Sequence, residues 1–104
     1  MLLDGNPGEE IWNILVYTDG SFLLRKGIIK QKTLTFQEEE PEPKLTYRIY
    51  IANQGSSDQR PETVFLNRLD ALDAIRTILT SEIQARVKSI EKVEGMIAQE
   101  EAPA

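Results

Sequence analysis

The last third of the chain most constrains its fold. Between Leu69 and Gln99 there is no proline, Gly95 is the only glycine, and apolar residues recur at spacings of three and four. This periodicity places the apolar residues on one face of an α-helix. At about 1.5 Å per residue the helix reaches ~45 Å, whereas a compact domain of about 100 residues is ~27 Å across. We therefore predict a helix over residues 68–99 that its own domain does not cover along its full length.

The first half of this helix, residues 69–80, has a broad apolar face, which is suited to covering one side of a β-sheet. Asn67 precedes the helix as a candidate N-cap, and Asp70 in the first turn complements the helix dipole. We expect the following apolar residues to pack on the chain's own sheet: Leu69, Leu72, Ala74, Ile75, Ile78 and Leu79.

The second half, residues 81–97, has a narrower apolar stripe between charged residues. Such a stripe is typical of a coiled-coil seam, so we predict homo-oligomerisation through this half, most simply as a two-fold dimer. Gly95 weakens the helix by roughly 1 kcal/mol relative to alanine, and residues 100–104 are expected to form a disordered tail. The stripe consists of Ile83, Val87, Ile90, Val93 and Ile97.

The residues before the helix predict an antiparallel sheet of four or five strands. Asp19-Gly20 between the first two apolar runs is typical of a hairpin turn. A meander of strands followed by one long helix is an α+β fold. Apolar alternation favours strands over residues 11–17, 22–25, 28–36, 45–51 and 63–66.

Several local features complete the predicted organisation. Gly27 is expected to mark a bulge or bend, and Ile28, Leu34 and Phe36 to point inward. The acidic segment 37–44 and the polar segment 53–62 are expected to be exposed loops. Residues 1–10 are rich in turn-forming residues and are expected to be flexible, which leaves a single domain over residues 11–99.

The chain has no cysteine and no histidine. Their absence excludes disulfides, thiol nucleophiles, Ser-His-Asp triads and the usual zinc sites. A formal net charge of −5 argues against a broad nucleic-acid surface, which needs a positive face. No segment has the pattern of a signal peptide or a membrane-spanning helix, which predicts a cytoplasmic location. We predict no cofactor, no metal and no enzymatic activity.

Residues 17–21, Tyr-Thr-Asp-Gly-Ser, end the first predicted strand. They resemble the opening motif of the ribonuclease H family, in which an aspartate on the first strand helps to bind catalytic Mg²⁺. Residues 67–72, Asn-Arg-Leu-Asp-Ala-Leu, resemble that family's first helix, which supplies an acidic ligand. The family's further aspartate, on a strand after this helix, has no counterpart here, and an incomplete carboxylate set does not hold two metals. We therefore interpret Asp19-Gly20 as a hairpin turn.

Two arginines fall at seam positions of the predicted helix. In the heptad register that places Ile83 and Ile90 at position a, Arg76 occupies an a position and Arg86 a d position. One interpretation is that two helices bring the arginines together at an inter-subunit pocket for a phosphate or nucleotide. The other is that the frame shifts, so that each guanidinium lies at the flank with its stem over apolar surface.

Basic and aromatic residues on the predicted strands are further candidates for contacting a ligand. Arg25 and Lys26 lie on the second strand and extend the positive region. Tyr17, Tyr50 and the neighbouring Arg48 lie on the faces opposite the main apolar alternation of their strands. Such rings can line a binding surface, but aromatic residues are also favoured in strands irrespective of function.

These observations lead to three functional hypotheses. The first is a non-enzymatic binding protein that acts as an adaptor or an inhibitor of a larger protein; its small size and acidity are also typical of viral (phage) anti-defence proteins. The second is a sponge or sensor that binds a phosphorylated small molecule or nucleotide at an arginine pocket between subunits. The third is a Mg²⁺-dependent nuclease centred on Asp19.

Overall fold

A computed structural model of the chain describes residues 1–102, within which a five-stranded antiparallel sheet packs against one long C-terminal helix. The predicted α+β fold is confirmed. The strand order across the sheet is β4-β3-β2-β1-β5, and one turn of 3₁₀-helix over Pro61–Thr63 precedes the last strand. The elements are β1 Glu10–Val16, β2 Phe22–Thr35, β3 Lys44–Ile51, β4 Gly55–Gln59, β5 Val64–Phe65 and α1 Arg68–Glu101.

The strand β4 lies within the segment predicted to be an exposed loop, so that prediction was wrong for residues 55–59. Its sequence, Gly-Ser-Ser-Asp-Gln, has no apolar alternation. The strand forms because its backbone pairs with β3, from Gly55 opposite Ile51 to Gln59 opposite Tyr47. Pairing of this kind is directed by the neighbouring strand and leaves no side-chain pattern in the sequence.

The strand β2 runs without interruption through Gly27, where a bulge or bend was expected. The register shifts instead between Ile29 and Gln31. Ile29 rather than Ile28 is fully buried, while Leu34 and Phe36 are exposed, so the predicted inward positions are wrong. Ile28 lies opposite Glu10 at the end of β1 and is only half-buried. Beyond Ile29 the strand β2 extends past β1, which leaves Leu34 and the following Phe36 exposed.

The sheet buries apolar residues on both faces. One face is covered by α1, with Ala71 and Ile75 packed beside Ile14 and Phe65. The other face holds the larger cluster, in which the N-terminal Leu2 joins the sheet residues. The members of that cluster are Leu2, Ile11, Ile29, Tyr47, Ile49, Ile51 and Val64.

Residues 1–10, expected to be flexible, have defined contacts with the sheet. Leu2 is buried, and its backbone N–H donates to the Pro61 carbonyl at 3.1 Å. The Gly5 backbone N–H donates to the Tyr47 hydroxyl at 2.9 Å. The segment is held because one apolar side chain closes the core on the face that α1 does not reach.

The helix α1 begins at the predicted N-cap, since the Asn67 side chain accepts a hydrogen bond from the Asp70 backbone N–H at 2.8 Å. The helix continues through Gly95 to Glu101, two residues beyond its predicted end. It therefore includes residues 100 and 101 of the expected disordered tail, whereas residues 103 and 104 lie outside the described part of the chain. Its 34 residues correspond to about 51 Å.

This helix makes the molecule elongated. The Cα radius of gyration is 19.5 Å and the principal extents are 67 × 36 × 21 Å, whereas a compact chain of about 100 residues has a radius of gyration of ~13 Å. Within residues 1–102, no helix combines the length and the apolar character that crossing a bilayer requires.

Candidate functional site

The helix leaves the sheet at the turn between β1 and β2. Leu79, Glu82 and Ile83 lie with Gly20 around a shallow groove there, and the Arg86 guanidinium donates from Nη2 to the Thr18 carbonyl at 3.1 Å. Every residue of α1 from Ile83 onward is exposed. We call residues 87–101 the projecting segment; its 15 residues extend about 22 Å beyond the turn.

The projecting segment exposes a row of apolar side chains. Ile90 is 56% exposed and Val93 52%, and both positions follow the spacing of three and four that defines one helix face. We call the row the apolar stripe. It consists of Val87, Ile90, Val93, Met96 and Ile97 of the projecting segment, together with Ile83, which precedes the segment at the β1–β2 turn. Contiguous exposed apolar surface of this kind marks interaction sites in proteins.

Charge is distributed unevenly along the same helix. Residues 86–92 contain three cations and one anion, and residues 94–101 contain three anions and no cation. No basic residue lies in the last turn, although the negative end of a helix dipole favours cations there. The acidic end is therefore unfavourable for the isolated helix, and its charges are free to contact groups on another molecule.

The two candidate arginines of α1 do not come together within one chain. The Arg76 guanidinium forms an ion pair with Asp73 at 2.9 Å, and its side chain is 77% exposed. Arg86 is instead directed at the β1–β2 turn by its bond to Thr18. Ten residues of helix separate them by about 15 Å, so a pocket containing both requires a second chain.

Arg25 has an internal structural role. Its Nη2 donates to the Asn13 side-chain oxygen at 2.6 Å and its Nη1 to the Gln54 side-chain oxygen at 2.7 Å. These bonds join β2 to β1 and to the β3–β4 turn. Because two of its nitrogens already have protein acceptors, Arg25 is poorly placed to bind an external anion.

Lys26, Arg48 and Tyr50 lie on the helix-covered face of the sheet, on the part that α1 leaves open. Lys26 forms an ion pair with Glu10 at 3.5 Å, and both line a groove of about 390 Å³ beside Tyr50. The Lys30 ammonium lies 5.5 Å from the centre of the Tyr50 ring, within the range of a cation–π interaction.

Tyr17 does not join this group. Tyr50 lies level with Glu10 through the pairing of each with Ile28. Tyr17 is seven residues further along β1, or about 23 Å. The predicted ligand-binding set is thus distributed over two faces and both ends of the sheet, and only Lys26, Arg48 and Tyr50 share one region.

Asn13 is a residue whose importance sequence reasoning missed. It is fully buried, and its amide nitrogen donates to the Gln59 side chain at 3.2 Å and to the Thr63 carbonyl at 3.1 Å. With the bond from Arg25, this amide ties β1 to β2, β4 and the 3₁₀ turn. The only signal in the sequence was a polar residue within an otherwise apolar strand.

Asp19 shapes the β1–β2 turn. Its carboxylate accepts from the Ser21 hydroxyl at 2.6 Å and from the Ser21 backbone N–H at 2.9 Å. The hydroxyl bond, and then the backbone bond, lowers the pKa of Asp19 below its ordinary value. Its contribution to the turn is therefore present above the ordinary aspartate pKa and is lost as the pH falls through the lowered one.

No group of three or more acidic side chains within residues 1–102 is placed to hold a metal ion. Asp19 thus lacks, in the described part of the chain, the converging carboxylates that two-metal phosphoryl chemistry uses. The geometry favours the hairpin-turn interpretation of the Asp19-Gly20 pair.

No family of known proteins, no curated protein and no solved structure matches this chain. We therefore infer the function of the chain from the geometry of its own residues.

Proposed function

We propose that the chain is a non-enzymatic binding protein, an adaptor or inhibitor, that self-associates through its projecting segment. The observation that carries this proposal is the apolar stripe, whose side chains are 47–62% exposed along a helix that the chain's own sheet does not cover. In the assembly, the sheet of each subunit remains available to contact a larger partner.

The free energy available from burying the apolar stripe predicts a moderate affinity between two copies of the chain. Burying the exposed half of one such side chain contributes roughly 1 kcal/mol. Five of the stripe residues lie in the projecting segment, so ten side chains in a dimer contribute roughly 10 kcal/mol, which falls within the 4–15 kcal/mol that association costs in lost freedom and ordering. With a cost at the lower end of that range, about 6 kcal/mol remains, which corresponds to a dissociation constant of roughly tens of micromolar. The side-chain packing at the seam decides the strength of association.

The hypothesis of a phosphorylated ligand between subunits has less support. Arg76 and Arg86 are each engaged by an acceptor of their own chain, and an anion would have to displace Asp73 or the Thr18 carbonyl. A nucleotide-binding assay on the oligomer tests this second hypothesis independently of the test of self-association.

A pair of matched substitutions tests the self-association. Ile90→Glu introduces a charge into the stripe, whereas Gln84→Glu introduces the same charge at an exposed position that faces away from it. By size-exclusion chromatography with light scattering at ~100 µM, we expect the wild type and Gln84→Glu to have twice the mass of one chain and Ile90→Glu to have the mass of one chain. Equal masses for the two variants would refute the role of the stripe.

A further inference from the structure

The proposed function leaves open how two projecting segments meet. We infer that the occupant of the apolar stripe is the stripe of a second copy, paired in the antiparallel direction so that the acidic end of one helix lies beside Arg86 of the other. This inference rests on the proposed self-association and specifies its geometry.

The charge distribution is the first argument. Around the helix, Arg86, Glu100 and Glu101 lie on the side of the stripe, whereas the other two cations of residues 86–92 lie on the opposite side. Parallel pairing places Arg86 beside its own copy and the two glutamates beside their own copies. Antiparallel pairing places Arg86 of each chain beside Glu100 and Glu101 of the other. Since flanking charges select the orientation of paired helices, the sequence favours the antiparallel arrangement.

The helix end supplies a second argument. Glu100 and Glu101 lie at the C-terminal end of α1, where the helix dipole disfavours anions. In the antiparallel arrangement these carboxylates lie near Arg86 of the second copy. Antiparallel pairing therefore brings a cation to the acidic C-terminal end of each helix, whereas parallel pairing brings two acidic ends together.

The free length of the helix fits the same geometry. The β1–β2 turn contacts α1 as far as Arg86, so a second helix can run along α1 only beyond this point. When two 15-residue segments overlap fully in antiparallel directions, the midpoint of the overlap lies between Ile90 and Ile97. The end of each helix then reaches the turn of the other subunit without entering the space of its sheet.

Distances between spin labels distinguish the two orientations. The chain has no cysteine, so Gln84→Cys and Gly95→Cys each give one labelled site. The two positions are eleven residues apart and project within about 20° of each other around the helix, away from the stripe. A side chain at Gly95 meets no atom within 4 Å, and Gln84 is exposed.

In an antiparallel dimer centred near Val93, the two labels at position 84 are separated along the axis by about 27 Å and those at position 95 by about 6 Å. We expect pulsed electron paramagnetic resonance to give an inter-label distance about 10 Å longer at position 84 than at position 95. Equal distances at the two positions would overturn the antiparallel orientation while leaving self-association intact. A wild-type chain that is monomeric by light scattering would overturn the proposed function itself.

The unlabelled wild-type chain provides an independent readout. Attraction between opposite charges at the seam is screened by salt, so we expect the dissociation constant of the dimer to rise severalfold between about 20 and 500 mM NaCl. A dissociation constant that falls over this range would indicate like charges in contact and would contradict the antiparallel orientation.

Discussion

Individual residues stabilise this small sheet through a polar network around the buried Asn13 as well as through apolar packing. Asn13 uses its amide nitrogen for Gln59 and Thr63 and its amide oxygen for Arg25. Buried polar groups lose their interactions with water, so each requires a protein partner. The network joins β1 to β4, which are distant in sequence, as well as to β2. It also explains why the Arg25 guanidinium is directed at acceptors of its own chain.

Replacement of the central amide tests the importance of this network. Asn13→Ala removes the acceptor of the Arg25 Nη2 and the donor to the Thr63 carbonyl, and we expect the free energy of unfolding to fall by about 2–3 kcal/mol. Urea denaturation followed by circular dichroism measures the change. The exposed helix substitution Gln99→Ala serves as the control and is expected to change the stability by less than about 0.5 kcal/mol; an equal effect of both would show that the network contributes little.

Alanine substitutions at two glycines are expected to change the stability of the protein in opposite directions. A Cβ atom at Gly27 would lie 2.7 Å from the backbone oxygen of Tyr50 on the adjacent strand, whereas one at Gly95 meets nothing within 4 Å. We expect Gly27→Ala to destabilise the protein by about 1–3 kcal/mol through steric strain. Gly95→Ala should stabilise the helix by up to about 1 kcal/mol. Thermal unfolding that ranked the two variants in the reverse order would contradict the close approach of β2 and β3 at Gly27.

At the scale of the elements, the helix was predictable from sequence because its signals are local. The spacing of apolar residues, the Asn67 cap and the absence of proline act within a few residues of one another. The same local periodicity identified the apolar stripe. Elements that depend on distant partners were not predictable, since β4 forms on the backbone of β3 and residues 1–10 are held by a core that the rest of the chain creates.

The site residues show the same difference between local sequence signals and contacts made by distant parts of the chain. Arg25 could be identified as a basic residue on a strand, but its acceptors Asn13 and Gln54 are brought to it by the folded sheet. The burial of Ile29 instead of Ile28 depends on a distant strand, since Ile29 lies opposite Ile49 and packs in the same core cluster. Sequence patterns thus identified the exposed second half of the helix. They were wrong for Leu69 and Ile78, which were expected to pack on the sheet and are exposed, and they did not show which basic residues are already engaged.

The start of α1 allows a test of a single element. The Asn67 side chain accepts from the Asp70 backbone N–H and donates to the Asp70 carboxylate at 2.8 Å. Asn67→Ala removes this cap, and we expect a loss of about 1 kcal/mol in unfolding free energy. Ser81→Ala, at an exposed position of the same helix, should not reduce stability. A loss no larger for Asn67→Ala than for Ser81→Ala in urea titrations would exclude a stabilising role for the cap.

At the scale of the whole molecule, the sheet and the helix contribute differently. The sheet buries a core on each face and fixes the first half of α1, while the projecting segment adds about 22 Å of length and little burial within the chain. An apolar stripe held on such an extension contributes nothing to the fold of its own subunit. Its presence is explained if a second copy covers it.

Small-angle X-ray scattering over about 10–200 µM tests this central claim most directly, because forward scattering reports mass and the angular dependence reports shape. We predict that the mass doubles with concentration and that the radius of gyration rises well above the 19.5 Å of one chain. A mass of one chain and a radius of gyration that stays near 19.5 Å at the highest concentration would contradict self-association through the projecting segment.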